Sequence, residues 1–225
     1  MPLELTRIQA LCFDIDGTLR DTDNQLVQQL ANLLKPVQFL FPEHDIQVDA
    51  RRIVMSLEEP GNLVKGLLDT WGIDGLLARL GDRLSKPCDQ PKIRPPLIIP
   101  GVCEMLAALA QRYPMAVVSA RGQRSTQIFL DCHELRPFFQ VVVTDQTCEH
   151  TKPYPDPILW AAERMNVPAE ACLMIGDTTV DIRAGRAAGA QTVGVLCGFG
   201  QEGELIRAGA DLILPTTAAL ADYLP

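Results

Sequence analysis

The chain has 225 residues, of which 47% are hydrophobic and 21% are charged, a composition that is typical of a folded core domain with a smaller companion and argues against disorder. The formal net charge of -8 argues against nucleic acid and anionic membranes as partners, because both repel an acidic surface. No signal peptide and no bilayer-spanning apolar run is recognisable, and the seven scattered cysteines favour reduced thiols, so we expect a cytoplasmic protein.

The first predicted element is a buried strand that ends in aspartates. The sequence LCFDID, residues 11–16, is apolar until it reaches Asp14 and Asp16. Their spacing of two residues puts both carboxylates on the same side of an extended chain. Burying unpaired carboxylates close together is costly, and a bound cation would relieve that cost.

The next segment has a different pattern and predicts helices without strands. Residues 26–37 carry an apolar stripe at helical spacing, and leucine clusters at 63–68 and 76–84 predict two or three further short helices. A proline-rich passage at 87–100 then predicts a stiff linker. We therefore expect a small all-helical cap domain over residues 20–91.

Two basic residues of this expected cap are candidates to meet an anionic substrate. They are Arg51 and Lys65, although the sequence favours a solvated helix face over a substrate contact for each of them. The remaining residues, 1–19 and 92–225, would form the core domain.

From Met115 onward, predicted strands and helices alternate. The predicted strands cover 115–120, 139–145, 171–177, 190–196 and 211–215. The predicted helices cover 122–132, 156–166, 178–189, about 202–208 and the C-terminal residues. Gly189 is the expected end of the third of these helices. The alternation predicts an α/β fold, a Rossmann-like parallel sheet with helices on both faces, in which residues 11–16 add a central strand.

Candidate site residues follow four of these strands, at the sheet edge where ligands bind in such folds. They are Asp14, Asp16, Ser119, Ala120, Arg121, Lys152, Asp177 and Asp181. The carboxylates of Asp14, Asp16 and Asp177 would form a hard oxygen cluster that suits Mg²⁺.

The other groups at this edge suit a phosphoryl group. Ser119 offers a hydroxyl and, with Ala120, backbone N–H groups, while Lys152 offers a positive charge. An aspartate is already ionised at neutral pH and can attack phosphorus, and a second carboxyl can protonate the leaving oxygen. These residues together predict phosphoryl chemistry.

Four motifs in this order resemble those of the haloacid dehalogenase (HAD) superfamily. They are FDIDGTLRDT, VVSARG, TKPYPDP and GDTTVDIRAGRAAG. The predicted helical insertion between the first two resembles the cap of phosphoglycolate-phosphatase-like members. The resemblance covers nearly the whole predicted sheet domain, and it implies a Mg²⁺-dependent enzyme.

The resemblance also implies a role for each matching residue. Asp14 would be the nucleophile that forms an aspartyl-phosphate, and Asp16 the general acid and base with its backbone carbonyl on Mg²⁺. Ser119 and Lys152 would hold the phosphoryl group. Asp177 would ligate the metal, and Asp181 would orient Lys152 or a metal-bound water.

Two details of the motifs bear on the substrate. Dehalogenases of this superfamily lack the aspartate that matches Asp16, which points towards phosphate esters. Ala120 and Arg121 follow Ser119, where many relatives carry a polar residue such as Asn, so contacts from this loop to substrate, including one from Arg121, stay open.

The expected function is a phosphatase acting on a small phosphorylated metabolite, with the cap closing over it. Phosphoglycolate, a sugar phosphate and a nucleoside monophosphate all fit. A phosphomutase shares the same core motifs, and a non-catalytic binding or regulatory protein on this scaffold is a further alternative. A monomer and a homodimer are both compatible with the sequence.

Overall fold

The computed structural model describes residues 3–21 and 97–224. The predicted cap, residues 20–91, lies outside the described residues except for Arg20 and Asp21. Arg51 and Lys65 lie outside them as well, so their proposed contacts with substrate stay predictions.

The described chain is built on one six-stranded sheet, in which every pairing is parallel. The strands are β1 (Ala10–Phe13), β2 (Met115–Val118), β3 (Val141–Val143), β4 (Cys172–Gly176), β5 (Gln191–Val195) and β6 (Leu212–Leu214). Their order is β3-β2-β1-β4-β5-β6, so β1 is central, as predicted. Most of the strands are short apolar runs because helices cover both faces of a parallel sheet.

Within residues 3–21 and 97–224, six α-helices connect the strands or follow them. They are α1 (Val102–Leu109), α2 (Gln123–Cys132), α3 (Asp156–Met165), α4 (Thr179–Ala187), α5 (Glu202–Ala208) and α6 (Leu220–Tyr223). The helices predicted from residue 122 onward are all present, whereas those predicted for the cap lie outside the described residues. Gly189 has a φ of 79° just beyond the end of α4, as a glycine that ends a helix often does. None of the described helices combines the length and apolar character that crossing a membrane requires.

Helix α1 was not predicted. Its buried residues Val102, Met105, Leu106 and Leu109 have the i, i+3, i+4, i+7 spacing of a helix that packs one face on a core. The predicted linker ends at residue 100, and no element was predicted between it and Met115. Gly101, with a φ of 82°, lies between the proline-rich segment and helix α1.

The core has one layer on each face of the sheet. Leu11 and Phe13 of β1 pack into one apolar cluster with residues of α1 and α2. Ala10 and Cys12 point to the other face, where they pack with residues of α3 and α4. Each large apolar side chain that is fully buried in this way stabilises the fold by about 1.5–3 kcal/mol. This packing fixes the position of β1, and therefore of the residues that follow it.

The two segments that flank residues 22–96 pair with each other beside the end of β1. The Asp21 N–H donates to the Leu97 carbonyl at 2.9 Å, and the Ile99 N–H donates to the Leu19 carbonyl at 3.0 Å. Arg20 and Ile98 form an antiparallel bridge between these bonds. The chain therefore leaves and re-enters the core next to the aspartates at the end of β1.

Candidate active site

Three buried, charged side chains meet at the carboxyl end of the central strands. Asp14 follows β1, Asp181 lies in the first turn of α4, and Lys152 lies in the segment between β3 and α3. The Lys152 Nζ donates to Asp14 Oδ1 and to Asp181 Oδ1, both at 2.6 Å. The three residues are 7%, 1% and 5% exposed for Asp14, Asp181 and Lys152 respectively. One ammonium therefore bridges two carboxylates that water reaches very little.

Burial changes the proton affinities of this group. Burial raises the pKa of Asp14 to about 7, and the negative charges of Asp181 and Asp16 act in the same direction, while Lys152 opposes them. For Lys152, burial alone favours the neutral amine, but the charges of Asp14 and Asp181 outweigh it and raise its pKa above the usual range. Lys152 is therefore permanently charged, and any further positive charge beside Asp14 would stabilise its ionised carboxylate.

Asp181 is held in place from its other side. The N–H and the hydroxyl of Thr178 donate to Asp181 Oδ2 at 3.0 and 2.7 Å. This arrangement caps the start of α4 while Oδ1 remains turned to Lys152. A Cβ at Gly176 would overlap the Asp181 side chain, so only glycine fits at the end of β4.

Asp177 is fully buried and tightly enclosed. Its Oδ2 accepts a hydrogen bond from the Phe199 N–H at 2.7 Å, and its Oδ1 accepts one from the Thr18 hydroxyl at 3.3 Å. A Cβ at Gly17 or at Gly198 would overlap the Asp177 carboxylate. The glycine loop at 198–200 was not predicted, although its G-x-G pattern shortly after β5 was a usable signal.

The carboxylates of Asp14, Asp177 and Asp181 form one cluster, in which one oxygen from each lies within 4.8 Å of the others. Lys152 pairs with two of these three buried carboxylates, Asp14 and Asp181, and a further positive charge would stabilise the cluster. Carboxylate oxygens are the ligands that hard divalent cations prefer. The donor set therefore fits a divalent metal ion.

The Asp16 side chain lies outside this carboxylate cluster and forms an ion pair with two arginines. Both of its oxygens accept hydrogen bonds from Arg121 Nη1, at 2.7 and 2.9 Å, and Arg20 Nη1 lies 3.2 Å from Oδ1. The sequence analysis placed Asp16 among the metal ligands and left the contacts of Arg121 open. In this structure the Asp16 carboxylate contacts the two arginines, and Asp181 joins Asp14 and Asp177 in the carboxylate cluster.

Ser119 and Ala120 follow β2 next to this group. The Ser119 hydroxyl accepts a hydrogen bond from the Arg121 N–H at 3.2 Å. The Ser119 N–H donates to the Val143 carbonyl at 3.0 Å and extends the sheet. The expectation that this N–H is available to an oxyanion is therefore wrong, because the β2–β3 pairing continues one residue beyond β2. The hydroxyl of Ser119 and the N–H of Ala120 remain the candidates in this loop.

Comparison with known proteins identifies the family of this chain and agrees with its fold. The family model described as haloacid dehalogenase-like hydrolase matches residues 11–195. A phosphoglycolate phosphatase from Nitrosospira multiformis is 29% identical over 211 residues, which cover 93% of this chain and 92% of that protein. A protein from Caldanaerobacter subterraneus, named as a pyrophosphatase, is 33% identical over 194 residues. The match covers 84% of this chain and 82% of that protein.

A solved structure is similar over nearly the full length. It is a hydrolase from Pseudomonas syringae, with 27% identity and a TM-score of 0.68, and the match covers 96% of this chain and 97% of that chain.

Proposed function

The chain belongs to the haloacid dehalogenase-like hydrolase family, and we propose that it is a Mg²⁺-dependent phosphatase that hydrolyses a small phosphate monoester through an aspartyl-phosphate on Asp14. The observation that carries this proposal is the bridging of Asp14 and Asp181 by Lys152, at 2.6 Å to each, beside the buried carboxylate of Asp177. This arrangement combines a nucleophile, a fixed positive charge and hard oxygen ligands in a nearly dry site.

In the first step, a carboxylate oxygen of Asp14 attacks phosphorus, and the bond between phosphorus and the ester oxygen breaks. Lys152 stays protonated because two carboxylates surround it, so it stabilises the negative charge on the phosphoryl oxygens. The Ser119 hydroxyl and the Ala120 N–H are the neighbouring donors that would orient the same oxygens. The product of this step is an acyl phosphate on Asp14 and a free alcohol.

Asp16 moves the proton in both steps. Its carboxyl donates a proton to the leaving ester oxygen, and in the second step it accepts one from the water that attacks the acyl phosphate. That attack releases inorganic phosphate and restores the Asp14 carboxylate. The Asp16 side chain is 17% exposed, which gives it the access to substrate and water that the buried Asp181 lacks.

A magnesium ion fits the oxygen ligands of this site. Asp14, Asp177 and the backbone carbonyl of Asp16 would hold it, with Asp181 supporting Lys152. When bound, the ion supplies positive charge that neutralises the phosphoryl oxygens and the clustered carboxylates.

The comparisons support a small phosphorylated substrate. One relative is named as a phosphoglycolate phosphatase and another bears a pyrophosphatase name. The phosphoglycolate phosphatase name leads us to place short phosphate monoesters first among the substrates, ahead of sugar phosphates and nucleotides.

Phosphate release from a panel of small monoesters and from pyrophosphate, with Mg²⁺ and with EDTA, tests this function. We expect release that depends on the metal, with one phosphate for each molecule of substrate consumed. Consumption without phosphate release would instead favour a phosphomutase.

A variant separates chemistry from folding. Asp14→Asn keeps the size of the side chain and should remain folded by circular dichroism, but it should lose turnover because the amide cannot attack phosphorus. Turnover at the wild-type rate in this variant would refute the covalent mechanism.

A further inference from the structure

The ion pair between Asp16 and Arg121 carries an inference about the substrate. Arg121 Nη1 contacts both oxygens of the Asp16 carboxylate, and Arg20 contacts one of them. The side chains of Arg121 and Arg20 are 24% and 27% exposed. The corner of the site that Asp16, Arg20 and Arg121 form is therefore open to solvent and to ligands. One carboxylate and two guanidiniums give this corner a net charge of +1.

The two arginines also carry donors that lack acceptors. The Nε atoms of Arg121 and Arg20 are both buried, and neither has a hydrogen-bond partner within residues 3–21 and 97–224. A buried N–H without an acceptor is unfavourable, and an anion that binds beside it removes that penalty. A guanidinium offers its donors on more than one edge, so the Nε edge of Arg121 can bind a second anion.

The position of the corner relates it to the leaving group. Under the proposed function, Asp16 must reach the ester oxygen in order to protonate it, so groups that contact the Asp16 carboxylate lie a few ångströms from that oxygen. Arg121 is two residues beyond Ser119, and its N–H donates to the Ser119 hydroxyl, which ties it to the phosphate side of the site. An anion attached to the substrate by a short chain would therefore lie within reach of Arg121.

A purely structural role explains this arrangement less well. Arg20 already contacts Asp16 at 3.2 Å from the adjoining turn, so one positive charge would be enough to neutralise the carboxylate. The second guanidinium adds charge and buried donors that Asp16 does not need. Arg121 is the better placed of the two, because it comes from the loop that carries Ser119 and Ala120.

We propose that Arg121 is a specificity-determining residue that binds a second anionic group of the substrate, a carboxylate attached one or two carbons from the phosphate ester. The inference rests on the proposed phosphatase function and narrows its substrate class to short acidic phosphate monoesters. A planar carboxylate matches the fork of a guanidinium better than a hydroxyl does. The same contact draws Arg121 towards the substrate and leaves Asp16 free to reach the ester oxygen.

A pair of nearly isosteric esters tests the proposal. The probes are 2-phosphoglycolate, which has the carboxylate, and 2-hydroxyethyl phosphate, which has a hydroxymethyl group instead. We expect the ratio of their kcat/KM values to favour phosphoglycolate in the wild type and to fall by about 10- to 100-fold in Arg121→Met, the range for a lost charge-assisted hydrogen bond. Most of the fall should come from phosphoglycolate, and Arg121→Lys should restore part of the ratio.

Arg124→Met is the matched control, since Arg124 is an exposed residue of α2 outside the site, and its ratio should equal that of the wild type. An equal loss of kcat/KM for both esters in Arg121→Met would overturn the inference, because a residue that only supports Asp16 affects both substrates alike.

Binding of two phosphonates provides a readout that does not require turnover. They are 3-phosphonopropionate, which carries a carboxylate, and 3-hydroxypropylphosphonate, which does not. Calorimetric titration should show tighter binding of the first in the wild type, by about 10-fold or more, and equal binding in Arg121→Met. Equal binding of both to the wild type would overturn the inference.

The two experiments distinguish the two failures. If no compound of the monoester panel is hydrolysed, the proposed function fails, and the phosphonate pair still decides whether Arg121 recognises a carboxylate. If both esters are hydrolysed with no preference that depends on Arg121, the function stands and the inference fails.

Discussion

Replacement of Lys152 by methionine tests the electrostatic design of the site. Methionine keeps the unbranched apolar stem and removes the ammonium that contacts Asp14 and Asp181, both at 2.6 Å. All three side chains are at least nine-tenths buried, so solvent cannot replace the lost charge. Removal of one partner from a buried ion pair destabilises a protein by about 3–5 kcal/mol.

Two features of the structure place the expected loss near the lower end of that range. Asp14 has a pKa raised to about 7 even with Lys152 present, so it takes up a proton readily when the ammonium is gone. Asp181 keeps its two hydrogen bonds from Thr178. We therefore expect Lys152→Met to lower the free energy of unfolding by about 3 kcal/mol in EDTA at pH 8, or the melting temperature by about 6–12 °C.

Urea unfolding followed by circular dichroism measures this loss, and two further variants interpret it. Lys152→Arg keeps the positive charge and should lose less than Lys152→Met. Asp181→Asn combined with Lys152→Met removes one of the carboxylates left without an ammonium, and should recover about 1 kcal/mol relative to Lys152→Met alone. A loss below about 1 kcal/mol in Lys152→Met would refute the argument, because it would mean that the ammonium contributes no more than a surface charge.

Three further predictions concern the metal, the enclosing glycines and the acid. The folded-state pKa of Asp14, about 7, lies above its ordinary value of 3.8. The metal-free protein should therefore lose stability as the pH rises from about 4 to 7. Mg²⁺ should reduce this loss, and thermal unfolding at pH 5 and pH 8, with and without the metal, checks both expectations. Gly198→Ala should weaken the stabilisation of the protein by Mg²⁺, because the added Cβ would overlap the Asp177 carboxylate. Gly189→Ala is the control, since its Cβ would meet open space and only the backbone would be strained. A titration of each variant with Mg²⁺ compares the two. Asp16→Asn should lower kcat by about 10²- to 10⁴-fold, and a wild-type rate of phosphate release would exclude it as the acid.

The sheet was predictable because its pattern is local. Continuous apolar runs between helical segments identify buried parallel strands, and residues 115–224 follow that pattern closely. The strands are shorter than predicted, as for β3, where the structure has Val141–Val143 in place of 139–145. Flanking residues such as Phe139 are buried without pairing in the sheet, and hydrophobicity does not separate those two states.

The site was less predictable because its details depend on contacts between distant parts of the chain. The carboxyl ends of the strands gave the set of residues, but the partner of each carboxylate follows from three-dimensional packing. Asp16 and Arg121 are 105 positions apart, and Asp177 and Phe199 are 22 apart. No periodicity reports such pairs, so neither the arginine contacts of Asp16 nor the amide on Asp177 could be read from the sequence.

The four aspartates illustrate how one site can keep neighbouring carboxylates in different surroundings. Asp14, Asp177 and Asp181 lie in the buried interior, where Lys152, backbone and hydroxyl donors, and closely approaching glycines surround them. Asp16 lies at the more exposed corner, where its partners are two partly exposed arginines in place of one buried ammonium. A nucleophile benefits from a fixed, dehydrated setting, because its geometry and its counter-charges are set before substrate binds. An acid that must meet both a leaving group and a water benefits from partners that an incoming anion can displace. The same four side chains would serve poorly if their surroundings were exchanged, so the division between interior and corner is itself an argument for the roles proposed here.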